Sequence, residues 1–188
     1  LDRAFDSMEK LQDVIQQIVA GCNRVVNEAS PIVDARLSNG SRVNIVMNPI
    51  ALNGPIVTIR RFPDKPVTMQ NLIQWETIST EAAEFLEKLV KAGYNLFVSG
   101  GTGSGKTTFL NVLSGYIAAE ERVITIEDSA ELQLQGLPNL VRLETRNGNT
   151  EGCREIGIRE LIRSSLRMRP DRIIVGEVRG PEAVDMLQ

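Results

Sequence analysis

Eight consecutive residues carry the clearest chemical signal in the chain: Gly100-Gly101-Thr102-Gly103-Ser104-Gly105-Lys106-Thr107, with Thr108 next. Their order matches G-x-x-x-x-G-K-[ST], a loop whose backbone N–H groups face a phosphate chain. Glycines let the backbone curl close to an anion, and a helix starting near the lysine adds the positive end of its dipole. In such a loop Lys106 reaches the β- and γ-phosphates and the Thr107 hydroxyl binds Mg²⁺. The competing reading is a glycine-rich turn without a ligand. All the fixed positions are filled, and the loop follows an apolar run and precedes a helical one, which weighs against that alternative.

Two runs ending in acids could serve the same site. Ile173-Ile174-Val175-Gly176-Glu177 is an apolar strand closing on a carboxylate, as expected of a Walker B strand beside Mg²⁺. The acid is Glu rather than the more usual Asp, and the pattern would be unremarkable without the phosphate loop. Ile124-Thr125-Ile126-Glu127-Asp128 places two acids at a strand's carboxyl end, where doubly wound sheets bind ligands. A carboxylate there can orient or deprotonate an attacking water, although paired acids at a strand end also serve as helix caps or solvated turns.

Six arginines lie between Arg154 and Arg172, and Arg159, Arg163 and Arg167 share a helix face by their i, i+4, i+8 spacing. A salt-bridged face accounts for most of them. One or two could instead stabilise γ-phosphate charge across a subunit boundary, as an arginine finger does. Arg60 and Arg61 end a strand before a proline-containing linker and are candidates for that role; neighbours on a strand point to opposite faces, so one of the pair reaches nucleotide in any one state. Trp75, Tyr94 and Tyr116 read as packing residues, and no aromatic series suits base stacking.

Composition narrows the chemistry further. The 188 residues are 42% hydrophobic and 24% charged, an ordinary globular balance. Histidine is absent, so no imidazole can act as base, shuttle or metal ligand, and catalysis falls to carboxylates, Lys, Arg or bound metal. A net charge of −3 removes the global electrostatic case for nucleic-acid binding. Cys22 and Cys153 are far apart with no pairing or zinc spacing, which favours a reduced compartment. No apolar run of membrane-spanning length and no signal-peptide pattern is present.

Positioning these residues requires a framework. Leu1, Phe5, Met8, Leu11, Ile15, Ile18 and Val19 predict an amphipathic helix over 1–19. Alternation on either side of Asn39-Gly40 predicts a hairpin with a two-residue turn, joined by a third strand over 55–60. Pro63 and Pro66 mark a boundary, and the stretch to Thr80 reads as a connector. Beyond it come a helix over 81–92, a strand over 95–99, a helix opening in the glycine loop, strands over 122–127 and 140–144, a helix over 157–168 and a strand over 172–176. Alternating strands and helices imply an α/β fold with a mainly parallel sheet. The expected division is a small α/β domain at 1–61, a linker at 62–80 and a P-loop domain at 81–188.

Taken together, these residues resemble the ATPases of the type II and type IV secretion superfamily, in particular the CpaF/TadA branch of tight-adherence (Flp) pilus assembly. The resemblance is carried by Glu28-Ala-Ser-Pro-Ile-Val-Asp-Ala-Arg-Leu, Gly40-Ser-Arg-Val-Asn, Thr58-Ile-Arg-Arg-Phe, the phosphate loop from Val98, Thr125-Ile-Glu-Asp-Ser-Ala-Glu-Leu-Gln-Leu, Val141-Arg-Leu-Glu-Thr-Arg and Leu166-Arg-Met-Arg-Pro-Asp-Arg-Ile-Ile-Val-Gly-Glu-Val-Arg-Gly. It implies a RecA-like core with ATP and Mg²⁺ as ligands, preceded by a small domain. It further implies a hexameric ring working on an inner-membrane platform protein at the cytoplasmic face, with no nucleic-acid partner.

The resemblance makes Glu127 the water-activating base with Asp128 supporting it, Glu177 the Walker B acid, Arg60 or Arg61 the small-domain arginine near the γ-phosphate, and Arg179 a sensor of nucleotide state. It also implies that the chain is a piece cut short at both ends, stopping before a histidine-containing segment of the parent protein. The rival readings are a RecA-like nucleic-acid or protein translocase and, for this piece alone, a nucleotide-binding module without turnover.

Overall fold

The computed structural model describes residues 4–22, 24–61, 65–146, 154–178, 180 and 182–186. They fall into two compact units, Leu1–Lys65 and Pro66–Gln188.

The first unit starts with helix α1, Met8–Gly21. The helix expected from Leu1 begins later because Ser7 is extended and its hydroxyl accepts the Lys10 N–H at 3.1 Å, capping the first turn. One face of α1, with Leu11, Ile15, Ile18 and Val19, packs against Val26, Val33, Val43 and Ile45. The last three belong to an antiparallel sheet of β1 (Ile32–Arg36), β2 (Arg42–Val46) and β3 (Ile56–Arg60), in that order. Alternate residues face away from this core, so the register lines up Arg36, Arg42 and Arg60 in one row across the outer face.

The β1–β2 turn is one residue longer than expected. Leu37 N–H donates to the Ser41 carbonyl at 2.9 Å and Gly40 N–H to the Leu37 carbonyl at 2.8 Å, leaving three residues in the loop. The Asn39 carboxamide oxygen accepts the Ser41 N–H at 3.0 Å, a local side-chain turn that accommodates the extra residue.

In the second unit, the stretch expected to be a plain connector holds a short helix, α2 (Met69–Gln74). Thr68 and Asn71 cap it reciprocally, each side chain bonding the other's backbone N–H, which starts a helix despite the nearby prolines. Ser79 caps α3 (Thr80–Lys91), whose last turn carries Lys88 and Lys91 against the helix dipole. Helix α4 spans Lys106–Ser114.

The sheet of this unit has three parallel strands: β4 (Val123–Glu127) between β5 (Leu140–Glu144) and β6 (Arg172–Val175). Helix α5 (Ile158–Ser165) covers one face, burying Ile162 on Ile124 and Ile126 with Val141, Leu143, Ile173 and Val175 around them. Helix α6, Glu182–Asp185, follows β6. Every residue of β4 is buried, as expected of a central parallel strand covered on both faces. The unit is thus α/β, with a RecA-like parallel core.

One expected strand is missing. Residues 95–99 form no part of either sheet: β4 lies between β5 and β6, and the segment pairs with the outer edge of neither. Apolar composition alone does not make a strand; its N–H and C=O groups must meet a partner's. Phe97 is accordingly 64% exposed and Tyr94 equally so. Trp75 is 59% exposed, so neither it nor Tyr94 is the packing residue that its type suggested.

Candidate functional site

The phosphate-type loop opens α4. Gly105 forms the helix N-cap at φ 88°, ψ 15°, and Gly103 has φ 74°, backbone conformations in which a side chain would be strained. With no side-chain cap, the first N–H groups of α4 stay available to an external acceptor. Cβ atoms at Gly101, Gly103 and Gly105 would meet nothing within 4 Å, whereas one at Gly100 would lie 2.6 Å from Ser104 Oγ. Lys106 Nζ folds back and donates to the Gly101 carbonyl at 2.7 Å. That bond holds the ammonium over the loop by a neutral acceptor, which a phosphate oxygen would outcompete because charge-assisted bonds are stronger.

Thr107, the second residue of α4, donates its hydroxyl to Glu131 Oε2 at 3.4 Å. Glu131 is the one residue of this cluster that sequence reasoning passed over. Its signal was present, an acid four positions after Glu127 in the stretch leaving β4, but nothing in the spacing says that the stretch folds back over α4. A second bond fixes that path: Gln133 N–H donates to Asn111 Oδ1 on α4 at 2.9 Å.

Glu127 occupies a different environment. It is 2% exposed, and its Oε2 accepts the backbone N–H groups of Glu131 at 2.6 Å and Leu132 at 2.8 Å. A buried carboxylate accepting two backbone donors anchors the chain leaving β4; an exposed carboxylate poised over a phosphate would look otherwise. Asp128, exposed beside it, accepts the Thr145 hydroxyl at 2.8 Å, and Glu144 Oε1 accepts the Ala130 N–H at 3.2 Å. Glu177 follows β6 and is half-buried at the carboxyl end of the same sheet.

Three of the six clustered arginines make ion pairs, and of these Arg159 belongs to the expected helix face. Arg159 bridges to Asp185 at 2.7 Å, Arg154 to Glu160 at 2.8 Å and Arg172 to Glu121. The Arg172 hydrogen bonds hold the Glu121 carboxyl below the usual glutamate range, against a smaller opposing effect of burial. Arg60 and Arg61 belong to the first unit, and both are exposed. Arg179, with Cys153, lies outside the described residues.

The residues present fit a Mg²⁺–nucleotide. Gly103 and Gly105 give the loop its left-handed turns, a lysine is held by an exchangeable acceptor, and a hydroxyl faces a carboxylate. Among the described residues no three Asp, Glu or Cys side chains gather to hold a metal. Mg²⁺ takes one or two protein oxygens and completes its shell with phosphate oxygens and water. Among the described residues no helix is long and apolar enough to cross a membrane.

Comparisons with known proteins agree. A family profile described as "Type II/IV secretion system protein" matches residues 3–188. An uncharacterized protein of Methanocaldococcus jannaschii, MJ0781, is 43% identical over 181 residues, which is 93% of this chain and 25% of that protein. A putative conjugal transfer protein of Mycobacterium tuberculosis, Rv3659c, is 36% identical over 189 residues, 97% of this chain and 53% of its own length. The chain therefore spans between a quarter and about half of these two relatives. Among solved structures, the Legionella pneumophila ATPase DotB shares the fold at a TM-score of 0.57 with 19% identity, covering 98% of this chain and 51% of that one. With the profile matched over nearly the whole sequence and the phosphate loop in place, the chain belongs to the Type II/IV secretion system protein family.

Proposed function

We propose that this chain is the nucleotide-binding and ATP-hydrolysing part of a motor that powers secretion or pilus assembly. The observation that carries the reading is the glycine loop opening α4, with Lys106 over it and the Thr107 hydroxyl turned to Glu131. Residues Gly100 to Thr108 bind the phosphates through backbone N–H groups, and Lys106 exchanges the Gly101 carbonyl for phosphate oxygens. Thr107 and Glu177 would hold Mg²⁺, which supplies charge neutralisation at the β- and γ-phosphates.

For the water-orienting carboxylate we now favour Glu131 over Glu127. Glu131 stands beside Thr107, whereas the Glu127 carboxylate is buried under the backbone it anchors. Asp128 is given a supporting role, and Arg179 is proposed as the sensor of nucleotide state. Arg60 or Arg61 supplies positive charge to the transferring phosphoryl group. In the full-length protein the family membership supports a division into a small domain at 1–61, a linker at 62–80 and an ATPase domain. It also supports a homo-hexameric ring acting on a platform protein at the cytoplasmic face of the inner membrane.

Titration with a non-hydrolysable ATP analogue and Mg²⁺ tests the reading. Lys106→Ala should lower affinity by at least about tenfold through loss of a charge-assisted contact, and an unchanged affinity overturns the site. Glu131→Gln should keep binding while phosphate release falls about 10²- to 10⁴-fold, the usual worth of an acid–base group. Near-normal turnover returns the role to another carboxylate. A second reading, binding without turnover by this chain alone, is favoured by residues 95–99, which lead into the loop without the support of the sheet. Single-turnover phosphate release separates the two.

A further inference from the structure

We propose that Gly176 is a steric seat for Glu127, and that the pair positions Glu131 against Thr107, linking the end of β6 to the start of α4. The consequence at Thr107 rests on the nucleotide-site reading; the seat itself does not.

The register pairs Ile126 with Val175, so Gly176 stands level with Glu127, and its N–H donates to the Ile126 carbonyl at 2.8 Å. A Cβ at position 176 would lie 2.9 Å from Glu127 Cγ, 3.5 Å from Oε2 and 3.6 Å from Cβ. Gly176 is not among the glycines with positive φ, so what it provides is space rather than a special backbone conformation. The clash falls on the middle of a side chain that is 2% exposed and tied at its far end, so Glu127 cannot swing aside without moving what it holds.

What it holds is the chain over α4. Glu127 Oε2 takes the N–H groups of Glu131 and Leu132, and Leu132 is itself 1% exposed. Glu131 then meets the Thr107 hydroxyl, and Gln133 meets Asn111 on the same helix. The links run in order from Gly176 to Glu127, to the backbone at 131–132, and so to Thr107. Any side chain at 176 displaces the first link. Glu127 is thereby a positioning residue, and so is Gly176.

The decisive variant is Gly176→Ala, read by amide hydrogen exchange on the ligand-free chain. Exchange at Glu131 and Leu132 should speed by about tenfold or more as local opening becomes easier, while the β4–β5 amides keep their protection. Affinity for a non-hydrolysable ATP analogue should fall in the presence of Mg²⁺ and change little without it. In a Glu127→Ala background the same glycine substitution should add nothing to exchange at 131–132, because the group it strikes is gone.

Unchanged exchange at 131–132 in Gly176→Ala, or an additive double variant, overturns the proposal. Should Gly176→Ala alone fail to fold, the double variant decides. Folding with the exchange pattern of Glu127→Ala supports the seat, and failure to fold overturns it. A chain that binds no nucleotide would remove the reading under Proposed function and leave the exchange result standing.

Discussion

Two apolar runs in the second unit lead into chemistry, and they end up in opposite environments. β4 closes on Glu127 and Asp128, is paired on both edges and is buried at all five positions. Residues 95–99 close on Gly100, pair with no described strand and leave Phe97 64% exposed. Their compositions barely differ. What separates them is the supply of partners: β4 has β5, β6 and the α5 face, and burial follows from that company rather than from its own residues. A chemically important loop can therefore hang on a weakly supported segment, while an ordinary-looking strand end is locked.

The contrast can be tested by truncation. Ile126→Ala in β4 should destabilise the second unit by about 2–5 kcal/mol, the range for emptying a close-packed core site. Urea unfolding would show it, and a cost under about 1 kcal/mol would mean that the β4 core is looser than its burial implies. Glu127→Ala should cost about 1–3 kcal/mol, because two buried N–H groups lose their acceptor. If thermal melts show no loss, the carboxylate is not anchoring the chain beyond β4.

At the opposite end of the sheet, Glu121→Gln should cost about 1 kcal/mol at neutral pH, scaled to a partly buried ion pair. The folded carboxyl is held low, so its contribution is complete above the unfolded glutamate range and lost as pH falls through the folded value. The stability difference from the parent should thus vanish in acid, and a difference that persists there would assign the effect to packing. Phe97→Ala should change stability by less than about 0.5 kcal/mol, as exposed positions do. A larger loss would show that residues 95–99 are supported after all.

Much of the framework could be read beforehand from local signals. The amphipathic α1, the hairpin alternation and the apolar β4 and β6 runs each carry their own periodicity, and Gly105-Lys106-Thr107 marks both a loop and a helix start. The misreadings came where structure depends on what lies elsewhere. The capping bonds of Thr68 with Asn71 made α2 out of a connector, and the run at 95–99 forms no ladder with either edge of the sheet. At the site, the loop was legible because its chemistry is contiguous. The standing of Glu131 beside Thr107 was not, because it depends on where the chain turns after β4 and on the buried bonds of Glu127 that turn it.

At the amino ends of the strands, Arg122 joins several elements at once. Its N–H donates to Asp171 Oδ2 at 2.7 Å, its Nε to the Met168 carbonyl at 2.8 Å and its Nη1 to Asn139 Oδ1 at 2.7 Å, while its own carbonyl accepts the Asp171 N–H at 2.9 Å. The residues just before β4, β5 and β6 are thereby pinned to one origin. Strands advance about 3.3 Å per residue, so strands started from a shared zero behave as rulers of equal graduation. Glu127 and Glu144 are read off at the same mark, five residues along, and Gly176 falls level with them. The height of the carboxylates at one end of the sheet is thus set by an arginine at the other, five residues before Glu127 in the chain.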